Sequence, residues 1–519
     1  MGKVRGTPTP GASAHREIEA KLEVPSGVAL PDLTRLPGVA AVDDPEQFTL
    51  EAVYLDTPDL RLAKAGTTLR RRTGGVDPGW HVKMRVSADE RTELHGPLGA
   101  ADGEVPAELA AAVRAQVRGA PLSAVVTLRT RRTVRRLRDA ADQVLAEVAD
   151  DVVTSRSPGR GEVVLDAWRE WEVELVHGDR HLLAATVKRL QKVDGAVPGR
   201  SSKLARALDR RLADAAAVPG RRPAAAGSAG AAVGEHLAGL REDLLAHDPQ
   251  VRRDEPEGVH QMRVATRRLR STLATFSPLL VRGQCEGVRV ELGWLAGLLG
   301  AARDAEVGRQ RLTELLAPEP PELVLGLVAR RLDADRAAAY RFAHQLVLEA
   351  LDSDRYFRLL DALDALVDAP PLTKVAGGAA GRVLPARVRR DWERLARAFE
   401  LARNTAPGPR RDELLHAARK AAKRTRYAAE AVVPTAGRPA EKFAVAAKKL
   451  QTLLGDHHDT VEIRAVLRRV GVQAHLDGEN AFTYGRLHAI EQARAERIEV
   501  QLPAAWDRVS ASRRRRWMG

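Results

Sequence analysis

The chain changes its hydrophobic rhythm once. Over the first ~200 residues, apolar and polar positions alternate with period two, as in strands with one buried face. Eight stretches carry the alternation: 15–24, 48–57, 67–74, 80–86, 91–97, 125–138, 143–154 and 162–177. Turn-forming clusters such as Gly74-Gly75-Val76-Asp77-Pro78-Gly79 separate many of them. Eight strands in one domain predict a closed antiparallel barrel or a sandwich. Residues 215–230 are rich in Ala, Gly and Pro and have linker composition. Beyond them apolar residues recur at i, i+3 and i+4, over 231–247, 259–279, 289–316 and 411–432. That spacing predicts an all-α second half, a helical bundle. The expected layout is a strand domain over 14–208, a linker over 209–230 and a helical domain over 231–508.

The alternation in the first half is unusual in what it alternates. In Glu17-Ile18-Glu19-Ala20-Lys21-Leu22-Glu23, charged residues hold one face and apolar residues the other. His81, Lys83 and Arg85 oppose Val82, Met84 and Val86, and Glu172 and Glu174 oppose Trp171, Val173 and Leu175. For any single strand, a sheet with its charges in solvent explains this. Across many strands carrying both acids and bases, a wide barrel with a polar lumen competes.

Composition narrows the partner. Lys and Arg number 83 against 69 acids, a net charge of +14, which favours a polyanion: nucleic acid, anionic membrane or polyphosphate. Hydrophobic residues make up 44% of the 519, enough for real cores in more than one domain, and argue against disorder throughout. Aromatics are only 4%. The basic runs 129–138, 263–270 and 419–426 contain none, although Tyr427 follows the last. Readers of single-stranded bases usually stack them on aromatics, so phosphate without bases is favoured and nucleic acid disfavoured. Cys285 is the only cysteine, which excludes an intramolecular disulfide and a multi-thiolate zinc site. No apolar run approaches the ~20 residues of a membrane span. Residues 1–14 lack a signal-peptide core, so the expected location is the cytoplasm.

Glu17, Glu19 and Lys21 share one strand face by period two. Two carboxylates ~7 Å apart can share a hard divalent cation, and a lysine one step further can meet a phosphate. Arg70 and Arg72 share a face, as do Lys83 and Arg85, and Glu172 with Glu174 forms a second acidic pair. Acids for metal and bases for phosphate in one lumen are what a triphosphate requires.

The helical half contains an internal repeat. His260-Gln261-Met262-Arg263-Val264-Ala265-Thr266-Arg267-Arg268-Leu269-Arg270 aligns without a gap with His416-Ala417-Ala418-Arg419-Lys420-Ala421-Ala422-Lys423-Arg424-Thr425-Arg426. Downstream, Leu298-Leu299-Gly300-Ala301-Ala302-Arg303-Asp304 matches Leu453-Leu454-Gly455-Asp456-His457-His458-Asp459. His260, Arg263, Arg267 and Arg270 fall on one helix face. Such a stripe costs electrostatic energy unless an anion offsets it. A solvated surface stripe explains one copy but not the recurrence of the same positions, each led by His. Adjacent His457 and His458 point about 100° apart on a helix and rarely chelate one ion, so a local bond or cap is expected for one of them.

With these motifs in order, residues 16–208 resemble the CYTH family of triphosphate tunnel metalloenzymes. The matching segments are Glu17-Ile18-Glu19-Ala20-Lys21, Tyr54-Leu55-Asp56-Thr57, Thr68-Leu69-Arg70-Arg71-Arg72, Gly79-Trp80-His81-Val82-Lys83, Arg129-Thr130-Arg131-Arg132, Trp171-Glu172-Val173-Glu174-Leu175 and Ser201-Ser202-Lys203-Leu204. The resemblance implies an α+β domain built on an eight-stranded antiparallel tunnel. Glu17 and Glu19 are then metal ligands, with Glu172 and Glu174 serving metal or water activation and Glu147 the remaining acidic position. Lys21, Arg70, Arg72, Lys83, Arg132 and Lys203 line the phosphate site, leaving Arg129 and Arg131 at the surface. The implied cofactor is Mg²⁺ or Mn²⁺.

Residues 231–508 resemble the CHAD family, the conserved histidine α-helical domain. That resemblance implies two pseudo-symmetric bundles, about 231–370 and 385–508, around a basic groove for inorganic polyphosphate. His260, Arg263, Arg267, Arg270, His416, Arg419, Lys420, Lys423, Arg426 and Lys449 are the implied contacts. Arg303 in one repeat meets His458 in the other, so their roles need not be equivalent. The combined expectation is an inorganic triphosphatase with a polyphosphate-binding module, cytoplasmic and associated with polyphosphate granules. Two alternatives stand beside it. One is a non-catalytic protein that targets such granules. The other is an enzyme acting on ATP, thiamine triphosphate or an RNA 5′ end, for which Trp80, Trp168 and Trp171 keep a base pocket open. Oligomeric state and chain-length preference are not set by sequence.

Overall fold

The computed structural model describes residues 13–85, 90–100, 103–158, 163–199, 202–216, 224–281 and 283–519. Val86, Glu162 and Ser201, at the edges of expected strands or motifs, lie outside the described residues, as does 217–223 of the expected linker. The chain forms two compact units, divided between Pro219 and Gly220.

The first unit holds strands β1 (Ser13–Glu23), β2 (Ala41–Val42), β3 (Glu46–Asp56), β4 (Thr68–Thr73), β5 (Gly79–Arg85), β6 (Glu90–Gly96), β7 (Ser123–Arg138), β8 (Val144–Pro158), β9 (Val163–Leu175) and β10 (Val197–Pro198). Eight of them run β1-β6-β5-β4-β3-β7-β8-β9, all antiparallel, and the ring closes where β9 returns to β1. The short strands β2 and β10 flank β7 and β1. The expected barrel or sandwich is therefore a closed barrel. Helices α1 (Arg61–Lys64), α2 (Ala107–Val117), α3 (Arg180–Leu190), α4 (Lys203–Ala207) and α5 (Asp209–Ala216) complete the unit. The last of these places residues 209–216 of the expected linker in a helix.

Two apolar clusters lie on the outer wall of the barrel, and a third, with Tyr54, Leu128 and Trp168, reaches the lumen. Leu22, Leu137, Val148, Trp171 and Val173 pack beneath Leu182, Leu183 and Leu190 of α3. On another side Leu69, Trp80, Val82 and Leu94 pack beneath Leu109, Ala112 and Val113 of α2. Burying each leucine stabilises the fold by ~1.5–3 kcal/mol. Strand register is thereby fixed, because a slip of one residue in β1 would turn Glu17, Glu19 and Lys21 into this apolar layer. Helices α2 and α3 were not among the expected elements. The Ala-rich run of α2 and the Asp179 N-cap of α3, which accepts from the Leu182 amide at 2.8 Å, were their only local signals.

The second unit is all helical: α6 (Ala229–Arg252), α7 (Gly258–Thr275), α8 (Glu286–Leu316), α9 (Val328–Leu351), α10 (Asp354–Asp368), α11 (Ala380–Arg403), α12 (Pro409–Ala431), α13 (Val433–Ala436), α14 (Arg438–Leu476), α15 (Phe482–Ser510) and α16 (Ser512–Arg515). The order α6–α9 recurs as α11, α12, α14 and α15, with the aligned motifs at equivalent places. Ser228 caps α6 through the Ala231 amide, and the Ala229 amide donates to Gly378 O ahead of α11, so the two repeats begin side by side. Helices α7 and α12 contact each other, joined by Arg268 to Glu430 at 2.7 Å and by Arg424, which donates to the Thr275 hydroxyl at 3.3 Å. No described helix is long and apolar enough to cross a membrane.

Candidate functional site

The charged face of the barrel points inward. A cavity of about 240 Å³ is lined by Glu17, Glu19, Lys21, Arg70, Arg72, Lys83, Arg132, Glu147, Glu172, Glu174 and Lys203, which are all the barrel residues that the family resemblance assigns to metal or phosphate, whereas Arg85 is exposed and does not line it. Strand pairing brings them together: Glu19 faces Glu174, Lys21 faces Glu172, and Glu147 faces Glu174. Arg132 leaves the wall toward the cavity while Arg129 and Arg131 are exposed. Lys203 arrives from outside the sheet, at the start of α4, whose Ser202 cap accepts from the Ala205 amide.

Low exposure forces pairing of these charges. Lys21 bridges Glu19 and Glu172, and Arg91 also holds Glu19. Lys83 meets Glu17 at 2.6 Å. Arg132 bonds Asp151 at 2.7 Å and Glu172 at 2.5 Å. Lys203 lies within 3.0 Å of Asp151, Glu170 and Glu172. Glu147 sits nearer solvent and pairs with Arg136 at 2.9 Å. Arg70 donates to the Tyr54 hydroxyl, and Arg72 donates to the Asp77 carbonyl and carboxylate.

The acids divide into two electrostatic classes. For Glu172, burial raises the pKa, but Lys203, Lys21, a hydrogen bond from Glu19 and Arg132 outweigh it and hold the carboxyl well below the usual range. Glu17 is pushed up to about 8, first by burial and then by its hydrogen bond with Glu93, against Lys83. Glu174 is also raised, by burial against Lys83 and by the like charges of Glu172 and Glu19. An all-oxygen donor set in which Glu17 and Glu174 are both shifted upward fits a hard divalent cation, which would supply positive charge beside them. Arg91, Glu93, Asp151 and Glu170 escaped the sequence reading. Their positions share the lumen parity of β6, β8 and β9, a signal that was available.

In the helical unit, the structure collects the repeat's cations. The Lys423 amine is pulled down to about 6 by burial and then by Arg267, Arg419, Arg263 and Arg426. His416 falls to about 4 through burial, Lys420, Arg419, Arg267 and Lys423. His458 packs on His416 with ring centroids 4.0 Å apart, and His260 has Arg303 beside it at the equivalent place. Arg263 reaches Asp304 at 3.0 Å, and Arg419 lies 3.9 Å from Asp459. Gly300 and Gly455, one per repeat, leave room for the Arg263 and Arg419 guanidinium groups, which lie 3.6 and 3.5 Å from the places their Cβ atoms would take. Arg267 and Lys423 have no carboxylate partner among the described residues. Arg426 pairs with Glu430, while Arg270, Lys420 and Lys449 are exposed. His457 turns away from this group to a half-buried bond with Glu499 on α15 at 3.1 Å, a contact between helices rather than the local bond or cap expected for one of the adjacent histidines.

The CYTH domain model matches residues 15–208 and the CHAD domain model residues 235–468. The uncharacterized protein Rv2226 of Mycobacterium tuberculosis strain H37Rv is 39% identical over 508 residues, 96% of each chain, and the corresponding protein of strain CDC 1551 / Oshkosh matches to the same extent. Among solved structures, PptA from Streptomyces chartreusis is 24% identical, with a TM-score of 0.45, over 55% of this chain and 100% of that one. A CHAD domain from the plant Ricinus communis is 26% identical, with a TM-score of 0.43, over 57% and 97%. The family assignment stands on the two domain matches and on the relative aligned over nearly its whole length: the chain belongs to the proteins that join an N-terminal CYTH domain, a triphosphate tunnel, to a C-terminal CHAD domain.

Proposed function

We propose that the tunnel hydrolyses inorganic tripolyphosphate and short polyphosphates with Mg²⁺ or Mn²⁺, and that the helical unit binds polyphosphate. One observation carries the first half: a closed barrel whose cavity is lined by both carboxylates and cations, with apolar clusters packed on its outer wall. Glu17, Glu19, Glu172 and Glu174 would hold the metal, with Glu147 at the rim, and the metal would polarise the phosphoryl oxygens. Lys21, Arg70, Arg72, Lys83, Arg132 and Lys203 would bind and orient the phosphates, supplying fixed positive charge where negative charge builds up.

An inorganic substrate is favoured over a nucleotide by the tryptophans. Trp80 and Trp171 pack into the outer apolar clusters, Trp168 packs with Tyr54 and Leu128 and donates to Glu170, and none of the three lines the cavity. Phosphate release from tripolyphosphate, ATP and thiamine triphosphate, each with Mg²⁺ and with EDTA, tests the reading. Tripolyphosphate turnover that vanishes in EDTA is expected, and faster ATP turnover would displace it. Because the first unit has its own core, a chain ending at Pro219 is expected to melt cooperatively and to retain this activity. An unfolded or inactive fragment would show that the units depend on each other.

The second half rests on Arg267 and Lys423, cations set among other cations with no carboxylate in ion-pair contact among the described residues. A polyanion bound there would raise the Lys423 pKa from about 6 toward its ordinary value. Above pH 6 the free protein then holds Lys423 neutral and the complex holds it charged, so binding takes up a proton. Affinity is expected to fall as pH rises from 6 to 8, by at most about tenfold per unit, and this dependence flattens below pH 6 where free Lys423 is already charged. Calorimetry in two buffers of different ionisation enthalpy measures the proton uptake. Lys423→Arg should remove it, and an unchanged uptake would assign the proton to another group.

A further inference from the structure

The tunnel wall carries a second cluster whose donor chemistry differs from the carboxylate site. β5 and β6 pair so that His81 stands opposite His95. Both lie on the strand face of Lys83 and Glu93, and directly opposed side chains on one face are in contact range. Their ring centroids are 4.8 Å apart. Asp77, in the loop before β5, brings Oδ1 to 3.1 Å from His95 Nε2 and Oδ2 to 3.9 Å from His81 Nδ1. One ring nitrogen from each histidine and one Asp77 oxygen all lie within 4.8 Å of one another.

One ring nitrogen in this cluster has no hydrogen-bond partner among the described residues. His81 is 0% exposed; its Nδ1 faces Glu93 Oε1 at 2.9 Å and its Nε2 has no partner. Buried polar atoms are rarely left so without a reason such as a bound ion. His95 Nε2 has Asp77 Oδ1 as its polar neighbour at 3.1 Å, the side an ion would share. Gly79 preserves the seat of His95, because a Cβ there would lie 2.3 Å from Nε2. Arg70 and Arg72 oppose a cation here, and the negative charges of Asp77 and Glu93 offset them.

We propose that Asp77, His81 and His95 form a site for an imidazole-seeking divalent transition metal of the Zn²⁺ class, separate from the carboxylate site. Two nitrogens and one oxygen suit Zn²⁺ or Co²⁺ and do not suit Mg²⁺. Arg72 donates to Asp77 Oδ2 at 2.8 Å, so the site is mechanically tied to a cation that lines the cavity.

Co²⁺ is the probe, added to EDTA-dialysed full-length protein in excess Mg²⁺. A visible d–d absorption band should appear, be bleached by Zn²⁺, and persist in Glu17→Gln, which separates this site from the hydrolytic one. In His95→Gln the band should vanish or require at least ~100-fold more Co²⁺. His95 is partly exposed, so this variant is expected to fold, and Asp77→Asn, in the loop, is a second. No band, a band unchanged in His95→Gln, or a band lost in Glu17→Gln would each overturn the proposal. Loss in His457→Gln instead would place the metal with Asp412 and Glu499 and would also overturn it.

Discussion

Glu17→Gln is expected to lower metal-dependent phosphate release by ~10²–10³-fold, the loss typical when one preorganised charged group is taken from a transition state, while leaving the melting temperature of the metal-free protein unchanged. Burial and the hydrogen bond with Glu93 push Glu17 up to about 8, so near pH 7 its carboxyl is protonated in the metal-free fold. Glutamine copies that neutral form in shape and polarity but cannot become the anion a divalent cation requires. Glu172→Gln makes the contrast. Its carboxylate is shared by Lys21, Arg132 and Lys203, and removing it leaves buried cations short of an anion. That variant is expected to lose activity and also about 3 kcal/mol of stability. Malachite-green phosphate release and thermal melts in EDTA separate the two outcomes. Equal destabilisation by both variants would contradict the division of the acids into an ionised and a protonated class.

Replacing Arg263 and Arg419 together by alanine is expected to weaken long-chain polyphosphate binding by about 100-fold, since a charge-assisted hydrogen bond contributes ~1.5–3 kcal/mol. The log–log salt slope should shrink by about two, one for each phosphate contact removed. Arg513 and Arg516 are the matched control, being exposed near the end of the chain and carrying the same formal charge. Their double replacement should change affinity only slightly. Filter binding or calorimetry over a salt series measures both. Equal losses would reduce the helical unit to a generic basic surface, and tighter binding to duplex DNA at the same salt would favour nucleic acid as its partner.

Much of the tunnel was legible because strand parity is set by covalent geometry. Once Glu17, Glu19 and Lys21 fall on one face, no packing detail can separate them. The same rule reached Arg70, Arg72, Lys83, Glu172 and Glu174. Choosing one residue within a run was harder. Glu147 was preferred in 147–151, and it does line the cavity, but it sits near solvent with Arg136. Asp151, two steps further on the same face, is fully buried between Arg132 and Lys203. Depth along the tunnel separates these two acids, and depth has no trace in alternation. In the helical unit the repeat exposed His416 and His260 together, but not that Arg303 and His458 would sit beside them.

What the sequence determined by itself is the local periodicity: period two and then 3.6, the faces that follow from each, the repeat, and the motifs that tie both halves to their families. Whether the charged face of the barrel met solvent or a lumen was decided only by tertiary structure, because that choice depends on β9 returning to β1 and on α2 and α3 covering the apolar face. Alternation is identical in both cases. The pKa of Glu17 and of Lys423, and the meeting of Asp77 with His81 and His95, were decided there too. Each depends on burial and on charges brought close from distant parts of the chain, and neither can be read from a single strand or helix.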